Sequence, residues 1–380
     1  MLATVPWTSP AAAGSRFEVH KHAIAAGVVW ERIVDSNGPN RINALIVTPS
    51  ATVTVDVASA GPFPQREGTS EMGRAAGAVA AINGDFGAFE GRPTDPFVMD
   101  ATWVEDGFQQ GQMFAMSSSQ SRSYLGRPTM TAEATSASGT VPVSRWNTGD
   151  PRTDEVAAFT TAGGSLIRPP STGCLARLSP ASGYAWTSGK RSTTRSYSVD
   201  ASRCSGPGMV PSGHDVVLAT RSRSSRASWF DALSVGDRVT VTTSLGWAGV
   251  EDAIGGWPML LESGKTVAPS TCTDDICDRN PRTGVGVTAG CMGGSGACRV
   301  ILVTVDGRNP GTSIGMTFPQ FAAEFRRLGA AWAMNLDGGG STTMWISGRG
   351  IVNRPADPPE RAVVNALVVL PHRDHEDPLR

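Results

Sequence analysis

Apolar residues run along this chain in short blocks, not long amphipathic stretches, and several blocks end on Asn, Asp or Gly. Ala44-Leu45-Ile46-Val47 and the alternating Val53-Thr54-Val55-Asp56-Val57 predict strands. Residues 69–77 predict a short helix capped by Thr69 or Ser70. Ala78-Val79-Ala80-Ala81-Ile82 then predicts a buried strand that runs straight into Asn83-Gly84-Asp85-Phe86. Further on, Val300-Ile301-Leu302-Val303-Thr304-Val305 is almost wholly apolar, as expected of a strand covered on both faces in a layered α/β arrangement, and it ends in Asp306-Gly307-Arg308. Thr317 with Gln320 forms a capping box, and Phe318, Phe321, Phe325 and Leu328 recur at helical spacing until Gly329. Residues 331–336 predict another apolar strand, delivering Asp337 and three glycines. The order strand, helix, strand predicts a right-handed parallel crossover.

Residues 118–245 differ in character: rich in Ser, Thr and Arg, punctuated by Pro and Gly, and poor in helical periodicity. Strands are expected at residues 155–160, 216–220 and 238–242, and exposed polar loops at 188–203 and 221–226. The fold class expected is mixed α/β, a layered mixed β-sheet core with flanking helices and an inserted β-rich subdomain. Its parts are an N-terminal extension (residues 1–40), a catalytic domain (41–117 and 246–371), the insert (118–245) and a charged tail (372–380).

Composition refines this picture. With 44 glycines, 26 prolines and only 18% charged residues, turns and short strands should outweigh long helices. A net charge of −1 supplies no chain-wide field for a polyanion, so nucleic acid is excluded as a bulk electrostatic partner and an anionic ligand needs a local cluster. The six cysteines are even in number and include no C-x-x-C pair, which points to disulfides and an oxidising compartment. Cys174 with Cys204 is the economical first pairing, and Cys272, Cys277, Cys291 and Cys298 pair among themselves in one of three ways. No apolar run is long enough to span a membrane, and the start Met1-Leu2-Ala3-Thr4-Val5-Pro6-Trp7 is no signal peptide. The expectation is a secreted, mature chain.

Three apolar strands each end beside a glycine-flanked aspartate: Asp85, Asp306 and Asp337. If the strands are neighbours, their ends set three carboxylates around one crevice. Asn335-Leu336-Asp337-Gly338-Gly339-Gly340-Ser341 carries the strongest signal, because three consecutive glycines raise the entropy cost of folding and let backbone N–H groups approach a ligand as an anion nest. Arg282, at a strand entry after Asn280-Pro281, suits bidentate capture of phosphate or carboxylate; Arg308 is a second clamp and Arg361 a weaker third. No nucleophile elbow, zinc-protease helix, P-loop or complete dinucleotide fingerprint occurs, and His214 falls in a turn. Carboxylate chemistry is what remains.

In this order, Asn83-Gly84-Asp85-Phe86, Ile254-Gly255-Gly256-Trp257-Pro258, Pro281-Arg282-Thr283, Val305-Asp306-Gly307-Arg308 and Asn335-Leu336-Asp337-Gly338-Gly339-Gly340-Ser341 resemble the phosphodiester glycosidase domain family. Members of that family include one that removes N-acetylglucosamine from a phosphodiester. The chain departs from the family at Gly87, where a second aromatic is frequent, and at Trp257, where a glycine is. The resemblance implies a hydrolase cutting a sugar C1 to phosphate bond. Asp337, Asp306 and Asp85 are the catalytic candidates, and Arg282, Asn83, Gly338, Gly339, Gly340, Ser341, Arg308, Asn335 and Thr283 would bind substrate and phosphate. Carbohydrate or sugar phosphate is the expected partner, and no cofactor is required. Three open alternatives are an ordinary glycoside hydrolase, a non-catalytic binder of anionic glycan in the cell envelope, and a Ca²⁺ ion held by the three aspartates.

Overall fold

The structure is a computed structural model and describes residues 16–371 except 51–52, 88–89, 108–110, 182–190, 206–207, 273–274 and 294–297. The chain start read for a signal peptide, residues 188–190 of the expected loop and the tail 372–380 lie outside the described residues. The fold is mostly β, with strands far outnumbering the few short helices. The expected helix-flanked α/β arrangement is therefore corrected: the few helices are short and each covers only part of a sheet, and among the described strands every named pairing is antiparallel except Arg145–Trp146 with Ala157–Phe159.

An eight-stranded sheet forms the backbone of the molecule. In spatial order its strands are Phe17–Ala25, Val28–Asp35, Asn40–Val47, Val300–Val305, Arg282–Val287, Trp332–Asn335, Met259–Glu262 and Lys265–Thr266. Residues 17–40, expected as an extension, thus supply strands of this same sheet. A five-stranded sheet built from Gly350–Ile351, Met344–Ile346, Ala80–Asn83, Asn365–Pro371 and Val53–Ser59 packs against it through Leu45, Val47, Val285, Val300, Leu302, Ile82, Leu367 and Val369. Ile301, Val303 and Val305 point the other way, onto Phe318, Phe321 and Phe325 of helix Phe318–Arg327. This explains the unbroken apolar run at 300–305: both faces are indeed covered, though within an antiparallel sheet.

The capping box forms as expected, with Thr317 N–H donating to Gln320 Oε1 at 3.0 Å. Gly284 and Gly286 let this helix sit close, because a Cβ at either position would fall within 2.8 Å of a Phe321 or 2.7 Å of a Phe325 ring carbon. The crossover differs from expectation. Val300–Val305 and Trp332–Asn335 run in the same direction but are not neighbours; Arg282–Val287 lies between them, antiparallel to both. Helix Thr69–Ala75 has its N-cap at Gly68, one residue before the expected Thr69 or Ser70, and the Gly68 N–H donates to Glu71 Oε2 at 3.0 Å.

Residues 131–244 supply all eight strands of a separate sheet. Its centre includes Ser192–Arg203, a twelve-residue strand where an exposed loop was expected. The period-two pattern there is carried by Arg195, Tyr197 and Val199, and an inward arginine disguises it. Arg195 tolerates burial because its guanidinium donates to the carbonyls of Ala101 at 2.9 Å and Asp100 at 3.1 Å. Three disulfides close, Cys174–Cys204, Cys272–Cys277 and Cys291–Cys298, the first as expected and the others choosing one of the three open pairings. Among the described residues no helix is long and apolar enough to cross a membrane.

Candidate active site

Strand register brings the predicted motifs to one end of the large sheet. Arg282 pairs with Val305, and Gly284 with Asn335, so Asp306, Arg282 and the Asp337 loop all leave the sheet at the same edge. The neighbouring sheet delivers Asn83, which joins the two. Its Nδ2 donates to the Asp337 carbonyl at 2.7 Å, while its Oδ1 accepts from the Thr283 hydroxyl at 2.8 Å and the Thr343 N–H at 3.0 Å. Asp337 N–H in turn donates to the Gly84 carbonyl at 3.0 Å. Asn83 and Thr283 are fully buried. They position the loop and do not line the site.

The site itself is a cavity of about 290 Å³ whose lining includes Asp337, Gly338, Gly339, Gly340, Asn335, Arg282, Arg308 and Arg361. Phe86, Asp275, Ile276 and Asn280 also line it and were not among the site residues expected from the sequence. The signal that could have found them was proximity: Phe86 follows Asp85, and the other three precede Arg282 within the segment that begins at Cys272.

Arg282 is only 2% exposed. Its Nε donates to Met316 O at 2.8 Å, and Nη2 to Ile276 O at 2.8 Å and Asp278 O at 2.6 Å; the guanidinium lies 4.0 Å from the Phe318 ring centre. Among the described residues no carboxylate pairs with it, and Nη1 has no partner. Burial, then the like charge of Arg308, pushes its pKa down to about 10, so it is still a cation at neutral pH. Arg308 adopts φ +56°, an uncommon conformation for a non-glycine residue, and donates from Nε and Nη2 to Asn280 Oδ1 at 3.3 and 3.0 Å. Arg361 differs: Asp357 neutralises it, with Nε to Oδ2 at 2.9 Å.

Both arginines are held by the segment 275–280, which has little regular structure of its own. The Cys272–Cys277 disulfide closes it, and Asn280 Nδ2 donates to Asp275 O at 3.0 Å. Replacing both cysteines by Ser is expected to raise KM for an anionic substrate roughly tenfold while kcat changes less, since loosened carbonyls no longer aim Arg282. Steady-state kinetics with a thermal-melting control reads this out.

Asp337 sits half-buried against the cavity. Burial raises its pKa to about 6, offset in part by hydrogen bonds from the Ser341 side chain and Gly338 N–H and by the charges of Arg361 and Arg66. The glycines do not form the expected nest. Gly338 N–H serves the Asp337 carboxylate, Gly339 N–H donates to Pro281 O at 2.9 Å, and Ser341 N–H to Gly338 O at 3.1 Å in a 3₁₀ turn, leaving at most the Gly340 N–H for a ligand. Their purpose is close approach. A Cβ at Gly338 would lie 2.8 Å from Pro281 O, one at Gly339 (φ +59°) 3.0 Å from Arg308, and one at Gly340 would overlap Arg361 and Asp357.

The other two aspartates do not enter the cavity lining. Asp306, raised to about 6 by burial, accepts the Arg354 N–H at 3.0 Å, while its backbone carbonyl takes the Ser313 hydroxyl at 2.6 Å. It ties loops together. Asp85 is 1% exposed and accepts from Phe86 N–H at 2.7 Å and Asp95 N–H at 3.1 Å; burial, then Asp95, holds its carboxyl well above the usual range. Asp85 shapes the loop that carries Phe86. The three carboxylates therefore form no Ca²⁺ cage: among the described residues the one trio of potential ligands within 4.8 Å is Cys174, Cys204 and Asp231, and those cysteines are disulfide-bonded. Asp306→Asn is expected to change kcat/KM by less than about threefold while lowering the melting temperature, because one accepted backbone bond is weakened.

A family model for phosphodiester glycosidases matches residues 189–370, just under half of the chain. The resemblance read from the motifs holds over that stretch, which contains four of the five, all but the one at Asn83. No curated protein sequence matches the chain. Among solved structures, a Synechocystis protein is similar with TM-score 0.68 and 20% identity over 93% of this chain, which spans 63% of that protein's length. A Burkholderia pseudomallei protein is similar with TM-score 0.62 and 21% identity, covering 90% of this chain and 77% of that one. The catalytic domain of zebrafish N-acetylglucosamine-1-phosphodiester alpha-N-acetylglucosaminidase matches at TM-score 0.46 and 15% identity, over 94% of this chain and 88% of that one.

Proposed function

We propose that this protein is a secreted hydrolase that cleaves the bond between a sugar anomeric carbon and a phosphate oxygen in a glycosyl phosphodiester. The observation that carries the reading is Arg282: a buried guanidinium to which, among the described residues, no carboxylate is bonded, with only the more distant charge of Asp278 acting on it, on the same cavity as Asp337. A buried charge with no anion bonded to it is costly, so the arrangement fits an anion supplied by substrate. Arg282 and Arg308 hold the phosphate. Asp337 takes the proton of a water whose oxygen bonds to the anomeric carbon as the carbon–oxygen bond to phosphate breaks. The electron pair leaves with the phosphate monoester, whose last ionisation lies near pH ~6, so charge stabilisation by the arginines replaces the protonated acid an ordinary glycosidase needs. Three disulfides fit an oxidising, extracytoplasmic location.

The ordinary glycoside hydrolase reading needs a second carboxylate in the cavity, and Asp275 is the one available. Release of sugar from a panel of glycosyl-1-phosphodiesters, measured against nitrophenyl glycosides of the same sugars, separates the readings. Faster turnover of the phosphodiesters is expected. Preference for the plain glycosides supports the second reading, and no turnover of either supports a glycan binder.

A further inference from the structure

Among the described residues that line the cavity, Phe86 is the one aromatic, and it is partly exposed. Every other described phenylalanine packs into an apolar cluster; among the described residues Phe86 belongs to none of these clusters and to no aromatic pair. Its backbone is nonetheless held. Phe86 N–H donates to Asp85 Oδ1 at 2.7 Å, Phe86 O accepts the Thr94 N–H at 3.0 Å, and Asp85 N–H is anchored to Asn365 Oδ1 at 2.8 Å. A ring kept out of the core on a braced segment leaves apolar area in water, which is unfavourable until a ligand covers it.

The Asp337 loop links the segment that carries this residue to the arginines. Its start is tied to the Phe86 segment, with Asp337 N–H donating to Gly84 O at 3.0 Å. Its middle is tied to the arginine side: Gly339 N–H donates to Pro281 O at 2.9 Å, and a Cβ at Gly339 would lie 3.0 Å from Arg308. The cavity thus runs from an anion-binding end, past the carboxylate, to an aromatic end. We propose that Phe86 is the platform for the sugar, stacking on a face of its C–H bonds, and so a specificity-determining residue that selects a sugar ring over other groups esterified to the phosphate. The proposal rests on the glycosyl phosphodiester reading of the cavity. A phosphate seated on Arg282 and Arg308 places the adjoining anomeric carbon at Asp337, and the rest of the sugar then extends to the end where Phe86 stands. The negative face of an aromatic ring attracts weakly positive C–H groups, and stacking removes apolar area of both partners from water. At about 290 Å³ the cavity is at the small end of small-molecule pockets, which suits one sugar ring and its phosphate.

The test is calorimetric binding, to the Asp337→Asn protein, of the methyl phosphodiesters of glucose 1-phosphate and galactose 1-phosphate, with inorganic phosphate as the sugar-free probe. Adding Phe86→Ala is expected to weaken the better-bound sugar diester at least about tenfold and inorganic phosphate less than about twofold. Phe86→Tyr, which keeps the ring, should hold the sugar diester within about threefold of the starting affinity. Arg282→Ala, by contrast, should weaken both ligands. Unchanged sugar affinity in Phe86→Ala, an equal loss for the sugar diester and inorganic phosphate, a loss that Phe86→Tyr shares, or no saturable binding of either sugar diester overturns the assignment. Should Phe86→Ala fail to fold, Phe86→Leu, which keeps apolar bulk without the ring, is read in its place by the same criteria, with a loss of at least about fivefold expected. Turnover by the unaltered protein is scored separately: hydrolysis of the sugar diesters with a KM that Phe86→Ala leaves alone retains the proposed function and removes the role of Phe86, whereas Phe86-dependent sugar affinity without hydrolysis does the reverse.

Discussion

Arg282→Ala is expected to lower kcat/KM toward a glycosyl phosphodiester by roughly 10²-fold to 10³-fold, the equivalent of about 3–4 kcal/mol and within the range for truncating one partner of a desolvated ion contact. The loss should be larger than for Arg308→Ala, because Arg282 is 2% exposed while Arg308 is exposed and, among the described residues, bonded to the Asn280 side chain alone. Two effects must be separated. Removing the guanidinium takes a donor from the carbonyls of Met316, Ile276 and Asp278, which costs stability whatever the substrate. Arg282→Lys keeps the charge and loses the fork, so it should retain part of the anion affinity with a poorer KM. Activity on a neutral nitrophenyl glycoside is the control: if Arg282→Ala depresses both substrates equally, the residue is structural and the phosphate reading fails.

Asp337→Asn is expected to lower kcat by about 10²-fold to 10⁴-fold with little change in KM, the range for loss of a positioned general base. With its pKa raised to about 6, Asp337 is ionised only above that pH, so kcat/KM should fall about tenfold per pH unit below pH about 6 and level off above it. The variant's residual activity should lack this limb. A stability effect accompanies it, with opposite consequence. A carboxylic acid whose folded pKa is raised contributes its full stability below the unfolded pKa near ~3.9 and loses it as pH climbs through the folded value. The Asn variant has no such loss. Its melting temperature should therefore rise relative to the parent between pH ~4 and pH ~6, and run parallel to it above that range. A pH–rate profile with no limb near pH 6, or one retained in Asp337→Asn, assigns the base elsewhere.

Local sequence alone determined much of this protein. Apolar blocks located the strands at 300–305 and 332–335, the Thr317–Gln320 box started the long helix, and the glycine run marked the loop of the cavity, because each depends on neighbours a few residues apart. Arg282 was likewise visible from its position at a strand entry. Tertiary structure decided what pairs, what faces where and what is buried. Three strands ending in aspartate looked alike in sequence, yet only Asp337 lines the cavity; Asp306 turns to a loop at Arg354 and Asp85 to the backbone of Asp95. A side chain's direction after the last strand residue is set by contacts hundreds of positions away, as Asn83 with Asp337 illustrates. The same reason hid Ser192–Arg203, whose inward arginine reads as polar loop until Ala101 and Asp100 offer their carbonyls. It also turned a proposed nest into a tight turn, because the Gly339 N–H finds Pro281 and the Gly338 N–H the Asp337 carboxylate before any ligand.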